Sequence, residues 1–400
     1  MQQSLAVVFN RFGPYHLARL RAVAKRMPTV GIEVFAKDRT YAWDVMQGPE
    51  VFRRVTLIEA EEDHISGAPV GDVVQTALER ERPSVVALPG WSLPEALASL
   101  AWALAHGVPA ILMADSQRHD RRRNPLAEGA KRRVVSLCSA ALVAGAAQVA
   151  YTADLGLARE RIFTGYDVVD NEHFQAGAER ARADATLRAK MGLPARFFLV
   201  SCRFVYEKNL LRLLEAYGRY RASSSDPWSL VLLGDGPLRG AVEGAIRRLD
   251  LQKLVLAPGF MQYDVLPAYY GLAGAAILPS AVEPWGLVVN EAMAAGLPVL
   301  VSERCGCAPE LVEPGRNGFT FDPFEVAELS GLMLKLSSES EAQLEAMGRA
   351  SQEIISRWTP ELFAENLEKA VQAAMRAPRP SVSVLDRALL WLLIRRGGRG

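Results

Sequence analysis

The residues best suited to chemistry lie in the second half of the chain, where two glutamates stand eight positions apart. Glu283 precedes Gly286, and the apolar run that follows predicts a helix over Leu287–Ala295 that contains Glu291. The unpaired N–H groups at the start of a helix form an anion site of the kind that binds phosphate. Glu291 would lie roughly 7.5 Å along the helix axis, so the two carboxylates could contact groups on either side of a diphosphate.

A nucleotide sugar carries hydroxyls at both ends of its diphosphate, on the sugar and on the ribose, and therefore fits this spacing. The alternative interpretation is that Glu291 is a solvated helix residue and Glu283 an ordinary loop charge, which is the default for a pair of glutamates.

Two cations follow a predicted strand in the same half of the chain. Arg203 and Lys208 lie directly after the apolar run 197–201, where a strand would turn into a helix. Two cations beside a helix N-terminus can neutralise a diphosphate, and that charge stabilisation matters most as a leaving group departs. The alternative is a pair of surface cations, but the position at the carboxyl end of a strand favours function.

A glycine turn follows the next strand in the sequence Gly234-Asp-Gly-Pro. Such turns follow many strands, so this motif alone is a weak signal. It lacks the third glycine and the downstream acidic residue of a dinucleotide-binding fingerprint, which argues against an NAD domain.

The elements that must position these residues alternate between short apolar runs and longer segments of helical period. This alternation predicts an α/β chain built from β-α units around parallel sheets. Helices are expected over 15–27, 70–80, 94–105 and 358–375. The predicted strands are 5–9, 31–36, 55–58, 85–88, 110–113, 141–144, 161–164, 197–201, 229–233, 254–256, 274–278, 298–301 and a short one near Phe319.

These elements predict two Rossmann-like, doubly wound domains that face each other across a cleft. The stretch 175–190 is rich in Ala, Arg and Glu and has no strand-like run, so it is the expected boundary. We predict an N-terminal acceptor-binding domain over 1–180, a donor-binding domain over 181–360, and C-terminal helices with an apolar and basic tail over 361–400. Ligands of open α/β sheets bind beyond the carboxyl ends of the strands.

Composition excludes several other classes of protein. The 400 residues are 50% apolar and 23% charged, which predicts packed cores rather than disorder, and 46 basic against 45 acidic residues give a net charge of +1. A chain without net positive charge is not expected to bind nucleic acid nonspecifically. Four cysteines without framework spacing indicate a reducing compartment, and Cys305 and Cys307 stand too close to form a usual zinc pair. Together with the lack of a long apolar run, this predicts a soluble, cytoplasmic protein without a metal site.

The order of these motifs resembles that of the retaining nucleotide-sugar glycosyltransferases of family 4, which have the GT-B fold. Arg203 and Lys208, the glycine turn at 234–237 and the spacing of Glu283 and Glu291 all contribute to the resemblance. It extends through Pro258-Gly-Phe260, Ala295-Gly-Leu-Pro-Val299, Glu310-Leu-Val and Gly315-x-Asn-Gly-Phe319, and so covers the whole second domain. The segment from Trp358 to Asn366 is similar to the family's closing helix, which crosses back to the first domain.

The resemblance implies a role for each matching residue. Arg203 and Lys208 would hold the donor diphosphate and stabilise the departing nucleotide, and Glu283 would contact donor-sugar hydroxyls. The remaining donor-binding residues would contact phosphate, ribose or base, with Phe260 and Met261 near the base, Pro284, Gly286, Leu287 and Val288 at the phosphate end, and Glu291 on the ribose. In this family the leaving phosphate takes the acceptor proton in a front-face reaction, so neither a metal nor an enzymic nucleophile would be required.

The first domain matches the family less closely. The loop after the first strand has one glycine, Gly13, as a donor or acceptor contact, where family members commonly have a glycine-rich loop. Many relatives also place a histidine after a middle strand to approach the donor sugar. Asp115 or Ser116 would take that position here, and His119 follows them. His16 is a further candidate, and for both histidines an ordinary structural role is the alternative.

The sequence therefore predicts an enzyme that transfers a sugar from a nucleoside-diphosphate donor, of UDP or GDP type, to a hydroxyl acceptor on a glycan or glycolipid, with retention at the anomeric carbon. One alternative is a nucleotide-sugar epimerase of the same fold, which would act on the donor alone. The other is a non-catalytic nucleotide- or sugar-binding relative. Oligomeric state is left open by the sequence.

Two further features raise the question of membrane contact. A basic run carries seven cations within 16 residues, opposed by Asp120 and Glu128: Arg118, Arg121, Arg122, Arg123, Lys131, Arg132 and Arg133. The tail adds an apolar stretch with a basic end: Leu385, Leu389, Trp391, Leu392, Leu393, Ile394, Arg395 and Arg396. Such a helix can lie in a membrane interface or pack on the body of the protein. Packing is favoured, with peripheral membrane contact as the second hypothesis.

Overall fold

The computed structural model describes residues 4–37, 43, 50–61, 68–120 and 123–396. The chain divides into two compact units, one formed by Met1–Val168 with Pro360–Gly400 and the other by Val169–Thr359. The chain thus passes between units after residue 168, whereas the boundary expected from the sequence lies at 180–181. The stretch 175–190, which suggested that boundary, is largely helical and lies inside the second unit.

The first unit is built on a parallel sheet with helices between its strands. Its elements before residue 168 are, in chain order, β1 (Leu5–Phe9), α1 (Pro14–Ala24), β2 (Thr29–Lys37), β3 (Arg53–Glu61), α2 (Ala68–Glu81), β4 (Val85–Pro89), α3 (Pro94–His106), β5 (Ala110–Ala114), α4 (Pro125–Ser136), β6 (Ala140–Val143), α5 (Ala146–Asp154) and β7 (Ile162–Phe163).

The second unit repeats the plan. Its elements are α6 (Asn171–Ala183), α7 (Leu187–Lys190), β8 (Phe197–Ser201), α8 (Leu210–Ser223), β9 (Ser229–Leu233), α9 (Arg239–Arg248), β10 (Val255–Gly259), α10 (Leu266–Leu272), β11 (Ala275–Leu278), α11 (Leu287–Ala294), β12 (Val299–Ser302), α12 (Ala308–Leu311), β13 (Gly318–Phe321), α13 (Val326–Ser337) and α14 (Glu341–Ile355).

Two C-terminal helices, α15 (Pro360–Arg376) and α16 (Val384–Arg396), belong to the first unit. Asn366 on α15 donates to the carbonyl of Thr164 at 2.9 Å, and Leu390 on α16 is part of the apolar core of that unit. The tail therefore packs on the body of the protein. Among the helices of the described ranges, none combines the length and the hydropathy that crossing a bilayer requires.

The predicted strands are confirmed, with ends that differ by a few residues. The central strands are buried along their whole length, as in β1 and β9, because helices cover both faces of a parallel sheet. This burial explains why they appear in the sequence as continuous apolar runs without alternation. The predicted architecture of two doubly wound α/β domains is confirmed as well.

Strand order reverses once in each sheet. The first sheet has the order β3-β2-β1-β4-β5-β6-β7 and the second β10-β9-β8-β11-β12-β13, and every neighbouring pair is parallel. The reversal lies between β1 and β4 in one sheet and between β8 and β11 in the other. Loops diverge at such a point and leave a crevice at the carboxyl ends of the strands, where ligands of this fold class bind.

The turn after β9 supports the loop that leaves β8. The N–H of Phe204 donates to the carbonyl of Asp235 at 2.9 Å, and that of Cys202 to the carbonyl of Leu233 at 3.0 Å. Gly234 has φ +127°, and a Cβ there would lie 1.9 Å from the carbonyl oxygen of Cys202. Only glycine allows so close an approach of two backbones. The glycine turn, a weak motif in the sequence, thus positions the loop that carries Arg203.

We expect Gly234→Ala to lower the free energy of unfolding by about 3 kcal/mol or more, because the new Cβ forces the two loops apart and the backbone is strained. Gly240→Ala is the matched control, since Gly240 lies in α9 with no heavy atom within 4 Å of an added Cβ. The control should be neutral or slightly stabilising. Urea unfolding of both variants measures the difference, and equal stability would contradict this account.

Candidate functional site

The centre of the candidate site is an ion pair between Lys208 and Glu283 at the strand-order reversal of the second unit. Lys208 ends a short 3-10 turn after β8, and Glu283 lies in the loop after β11. Their side chains form a salt bridge, and the hydroxyl of Ser280 donates to the same carboxylate oxygen, Oε2, at 3.0 Å. The lysine and the carboxylate are both partly exposed, so the pair is accessible to a charged ligand.

Backbone hydrogen bonds fix the loop of Glu283 on two sides. The N–H of Ala281 donates to the carbonyl of Glu207 at 2.8 Å, which joins this loop to the one after β8. The N–H of Gly306 donates to the carbonyl of Glu283 at 3.1 Å, which joins it to the loop after β12. The position of the Glu283 carboxylate is therefore set by backbone contacts as well as by its own ion pair.

Asn209 is a positioning residue that the sequence analysis did not identify. It adopts the left-handed conformation with φ +56°, and its buried amide donates to the carbonyls of Pro279 at 3.2 Å and Pro323 at 2.7 Å. One side chain thus joins the loops that follow β8, β11 and β13. Asparagine is among the few residues that tolerate this backbone region. The sequence signal that could have identified Asn209 is its position directly after Lys208.

Arg203 lies on the same loop as Lys208 and is exposed. Within the described ranges its guanidinium forms no ion pair or side-chain hydrogen bond. The site therefore offers one cation that is paired with a carboxylate and one that has no counter-charge. Both are available to an anion that carries two negative groups.

The start of α11 lies beside this pair. Gly286 has φ +112°, and a Cβ there would lie 2.6 Å from Cδ2 of Leu278, so glycine is required for the loop to enter the helix at this angle. Pro284, Leu287 and Val288 are partly exposed around the helix start. The first N–H groups of a helix have no partner within it, and the loop thus presents an anion-binding helix terminus beside two cations.

Glu291 lies inside the second unit and not at an open surface. It is 1% exposed, and the phenol of Tyr270 donates to its Oε2 at 2.7 Å. Burial and the nearby carboxylate of Glu291 raise the pKa of Tyr270 well above its ordinary value, so the phenol keeps its proton and acts as a donor. The structure thus gives Glu291 an interior partner, and its contact with ribose stays a prediction.

Phe260 and Met261 follow β10 at the same edge of the sheet. Phe260 is 38% exposed and Met261 is half-buried. The carbonyl of Gly259 accepts from the N–H of Gly234 at 2.8 Å, which connects this loop to the glycine turn. Their predicted place near a nucleobase is not tested by these contacts.

The thiols near the site are protonated. Burial raises the pKa of Cys202 to about 12, and burial raises that of Cys305 well above its ordinary value. All four cysteines lie in the described part of the chain, and each is a free thiol. Within the same ranges no group of three or more His, Cys, Asp or Glu side chains is arranged as metal ligands.

In the first unit, Gly13 and His16 form the start of α1. Gly13 is the N-cap residue, and its N–H donates to Nδ1 of His16 at 3.1 Å. Burial, with Arg19 and Arg11 nearby, lowers the pKa of His16 to about 3. His16 is thus a neutral histidine that caps its own helix, which favours the structural interpretation for this residue.

The other first-unit candidates follow β5. Asp115 and Ser116 are half-buried at the carboxyl end of the strand, and the carbonyl of Asp115 accepts from the amide of Gln148 at 3.1 Å. His119 is exposed three residues further on. The structure assigns none of them a catalytic contact.

The basic run is largely paired with acids. Ion pairs join Arg118 to Asp154, Arg123 and Lys131 to Glu128, and Arg133 to Asp386. Arg121 and Arg122 lie outside the described residues. Four of the five described cations are therefore paired, which favours the surface-charge interpretation, while Arg132 is exposed and forms no ion pair within the described ranges.

Comparison with known proteins agrees with this architecture. Residues 185–353 match the family model of Glycosyl transferases group 1. The chain is 27% identical over 246 residues to the Alpha-D-kanosaminyltransferase of Streptomyces kanamyceticus, which covers 59% of this chain and 63% of that protein. It is 28% identical over 216 residues to the glycogen synthase of Mycobacterium tuberculosis, which covers 53% of this chain and 51% of that one. The alignments thus span roughly half to three-fifths of these curated relatives.

A solved structure extends the likeness to both units. The structure of Anabaena Alr3699/HepE in complex with UDP and glucose has a TM-score of 0.72 at 18% identity and covers 93% of this chain and 100% of that one. At this identity the likeness concerns the fold, and it includes the first unit, which the family model does not reach.

We expect Asn209→Gly to weaken both the second unit and its site. Glycine keeps the left-handed backbone, so the variant tests the amide alone, and two buried carbonyls lose their donor. The free energy of unfolding should fall by about 1–3 kcal/mol, and affinity for a nucleoside diphosphate should fall with it. Ser351→Ala is the control: it removes a buried donor to the carbonyl of Leu297 remote from the loops, so it should cost stability but not affinity. Equal affinity losses in the two variants would contradict the positioning role.

His16 should make stability depend on pH. Its pKa is near 3 in the folded chain and 6.5 as the ordinary value, so the unfolded state takes up a proton first as the pH falls. The free energy of unfolding should therefore be unaffected above pH 6.5 and fall by about 2 kcal/mol between pH 6.5 and pH 5. His16→Gln keeps a capping side chain at this position and should remove this part of the pH dependence. Parallel profiles for the two proteins in denaturant unfolding would argue against a neutral His16.

Proposed function

We propose that this chain, which has the GT-B fold and carries a glycosyl transferases group 1 domain at residues 185–353, transfers a sugar from a nucleoside-diphosphate sugar to a hydroxyl acceptor with retention at the anomeric carbon. The observation that carries the proposal is the Lys208–Glu283 pair beside the uncompensated Arg203 and the start of α11. Cations, a carboxylate and a helix terminus converge where ligands of this fold class bind.

The donor diphosphate binds to Arg203, Lys208 and the first N–H groups of α11. Lys208 already lies next to Glu283, so a phosphate that approaches the lysine brings the donor sugar to the carboxylate. Glu283 then accepts hydrogen bonds from sugar hydroxyls and fixes the sugar orientation. Phe260 and Met261 contact the base, and Glu291 the ribose.

The chemical step requires charge stabilisation more than a protein nucleophile. The bond between the anomeric carbon and the phosphate oxygen breaks, its electron pair goes to the diphosphate, and Arg203 and Lys208 neutralise the growing charge. The acceptor oxygen bonds to the anomeric carbon on the face that the phosphate leaves, and the leaving phosphate oxygen takes the acceptor proton. The raised pKa of Cys202 supports a step without a thiolate nucleophile. We propose that no metal ion takes part.

The acceptor in this proposal is a hydroxyl of a glycan or a glycolipid, bound by the first unit near Gly13 and the loop after β5. The similar HepE structure holds UDP and glucose, so a UDP sugar is the first donor to test.

The experiment begins with binding. Thermal unfolding is recorded with UDP, GDP, ADP and dTDP, each with and without a chelator, since a ligand that binds only the folded chain raises its melting temperature. We expect one diphosphate to raise it in the presence of chelator. No shift with any of them would contradict the proposed donor site, and a shift that the chelator abolishes would contradict the metal-free step.

Transfer is then measured with the sugar of that nucleotide. Lys208→Ala should lower kcat/KM by about 100- to 1,000-fold, because a cation that stabilises the departing phosphate is lost. Glu283→Gln should lower kcat by about 100-fold or more while the fold is kept. Lys253→Ala and Glu303→Gln are matched controls on exposed residues of the same unit and should be unaffected. Turnover of both site variants at the rate of their controls would refute the assigned roles.

Product analysis separates the alternatives. The configuration of the new glycosidic bond by NMR tests retention. A new sugar nucleotide formed from the donor alone would indicate an epimerase, and binding without turnover over a broad acceptor panel would indicate a non-catalytic relative.

A further inference from the structure

Helix α16 exposes a continuous apolar face. We define its outer face as Val384, Leu385, Ala388, Trp391 and Leu392, which recur at the spacing of one side of a helix. Its four large side chains are between 47% and 82% exposed. An apolar stripe of this kind on one helix is a mark of an interaction surface.

The opposite face of α16 is already fixed in the protein. Leu390 is buried in the core, with Leu393 and Ile394 packed against it, and Ile394 lies so close to α2 that a Cβ on Gly71 would be 2.9 Å from its Cγ2. Buried Asp386 pairs with Arg133 and accepts from Ser383. These contacts hold the pKa of the Asp386 carboxyl well below its usual range, and the hydrogen bond from Arg133 is the largest cause. The helix therefore cannot turn its outer face inward without breaking the ion pair between Arg133 and the buried Asp386 carboxylate.

Charge on the exposed side is of one sign. Arg387, Arg395 and Arg396 are exposed, and the guanidinium of Arg395 lies 4.2 Å from the ring centroid of Trp391. Within Val384–Arg396 the acidic residue is Asp386, which is buried and neutralised. The outer face thus combines apolar side chains with uncompensated cations, and an anionic partner with an apolar interior complements both.

The length of α16 decides how it would meet such a partner. Its 13 residues span about 20 Å, whereas the hydrocarbon core of a bilayer is about 30 Å thick. The helix can lie along a membrane surface but cannot cross it. Tryptophan favours the boundary between headgroups and acyl chains, and arginine reaches from there to the phosphates.

We propose that the outer face of α16 binds reversibly to the surface of an anionic bilayer. The proposal rests on α16 and not on the basic run, since Arg118, Arg123, Lys131 and Arg133 of that run are each paired with an acid. This inference does not depend on the proposed transferase activity and can be tested without a substrate.

The test is co-sedimentation of the full chain with vesicles of phosphatidylcholine, with and without one-third phosphatidylglycerol. We expect binding to the anionic vesicles that weakens at high salt. Arg387→Gln/Arg395→Gln/Arg396→Gln should reduce the partition coefficient by about a hundredfold. Leu385→Ser/Trp391→Ser/Leu392→Ser should reduce it by about tenfold or more.

Matched controls carry the same chemical changes elsewhere. Arg219→Gln/Arg247→Gln/Arg248→Gln changes the net charge equally at exposed positions of the other unit, and Leu126→Ser removes a highly exposed leucine from α4. Both should bind as the unchanged protein does. Because every changed side chain is exposed, thermal unfolding should be unaltered, and this is measured for each variant.

Three results would overturn the proposal. One is absence of binding to anionic vesicles, or equal binding to neutral ones. Another is binding by the outer-face variants at the level of their controls. The last is a dimer in sedimentation velocity that the outer-face variants dissociate, which would assign this surface to a second copy of the chain.

Discussion

The candidate site depends on one topological constraint, the reversal of strand order between β8 and β11. Parallel pairing holds these strands side by side, with Phe198 opposite Ala275, but the helices that follow them leave in different directions. Helix α8 packs beside α9 and α13, whereas α11 packs beside α6, α10 and α14. The two outgoing loops therefore lie next to each other at one edge of the sheet. Lys208 and Glu283 meet because each belongs to one of these loops.

Hydrogen bonds between the loops themselves fix their positions. Here the backbone of one loop bonds to the next, and glycine at 234 and 286 permits contacts that a Cβ would prevent. The side-chain amide of Asn209 also joins the loops, because it donates to two of their carbonyls. The amide of Asn209 is buried, so its removal costs stability because two carbonyls lose their donor. The charges at the surface of the site are thus held in place by groups that take no part in the proposed chemistry.

The sequence predicted the sheets well and the interior polar contacts poorly, for physical reasons. Strands that helices cover on both faces must be apolar throughout, and such runs are visible without any structure. Strand β3 is longer than predicted because it pairs with β2 from Arg53 to Glu61. Arg54 and Thr56 also donate to the buried carboxylate of Glu33, and no local pattern shows a partner more than 20 residues away.

The same limit applies at the site. The positions of Arg203, Lys208 and Glu283 after strand ends could be inferred from the chain, because the ends of parallel strands share an edge. The burial of Glu291 against Tyr270 and the contacts of Asn209 depend on residues distant in sequence, and local spacing does not predict such contacts.

The degree of burial distinguishes ion pairs that support the fold from pairs that a ligand can open, as we propose for Lys208 and Glu283. Arg19 and Asp167 are both almost fully buried at 3.2 Å, and removal of one partner from such a pair costs about 3–5 kcal/mol because a charge is left without compensation. Exposed pairs are worth about 0–1 kcal/mol, since water replaces the lost partner. Lys208 and Glu283 lie between these limits, so an incoming phosphate can compete for the lysine while water or a sugar hydroxyl compensates the carboxylate. Deeper burial would have made the same two residues a structural element.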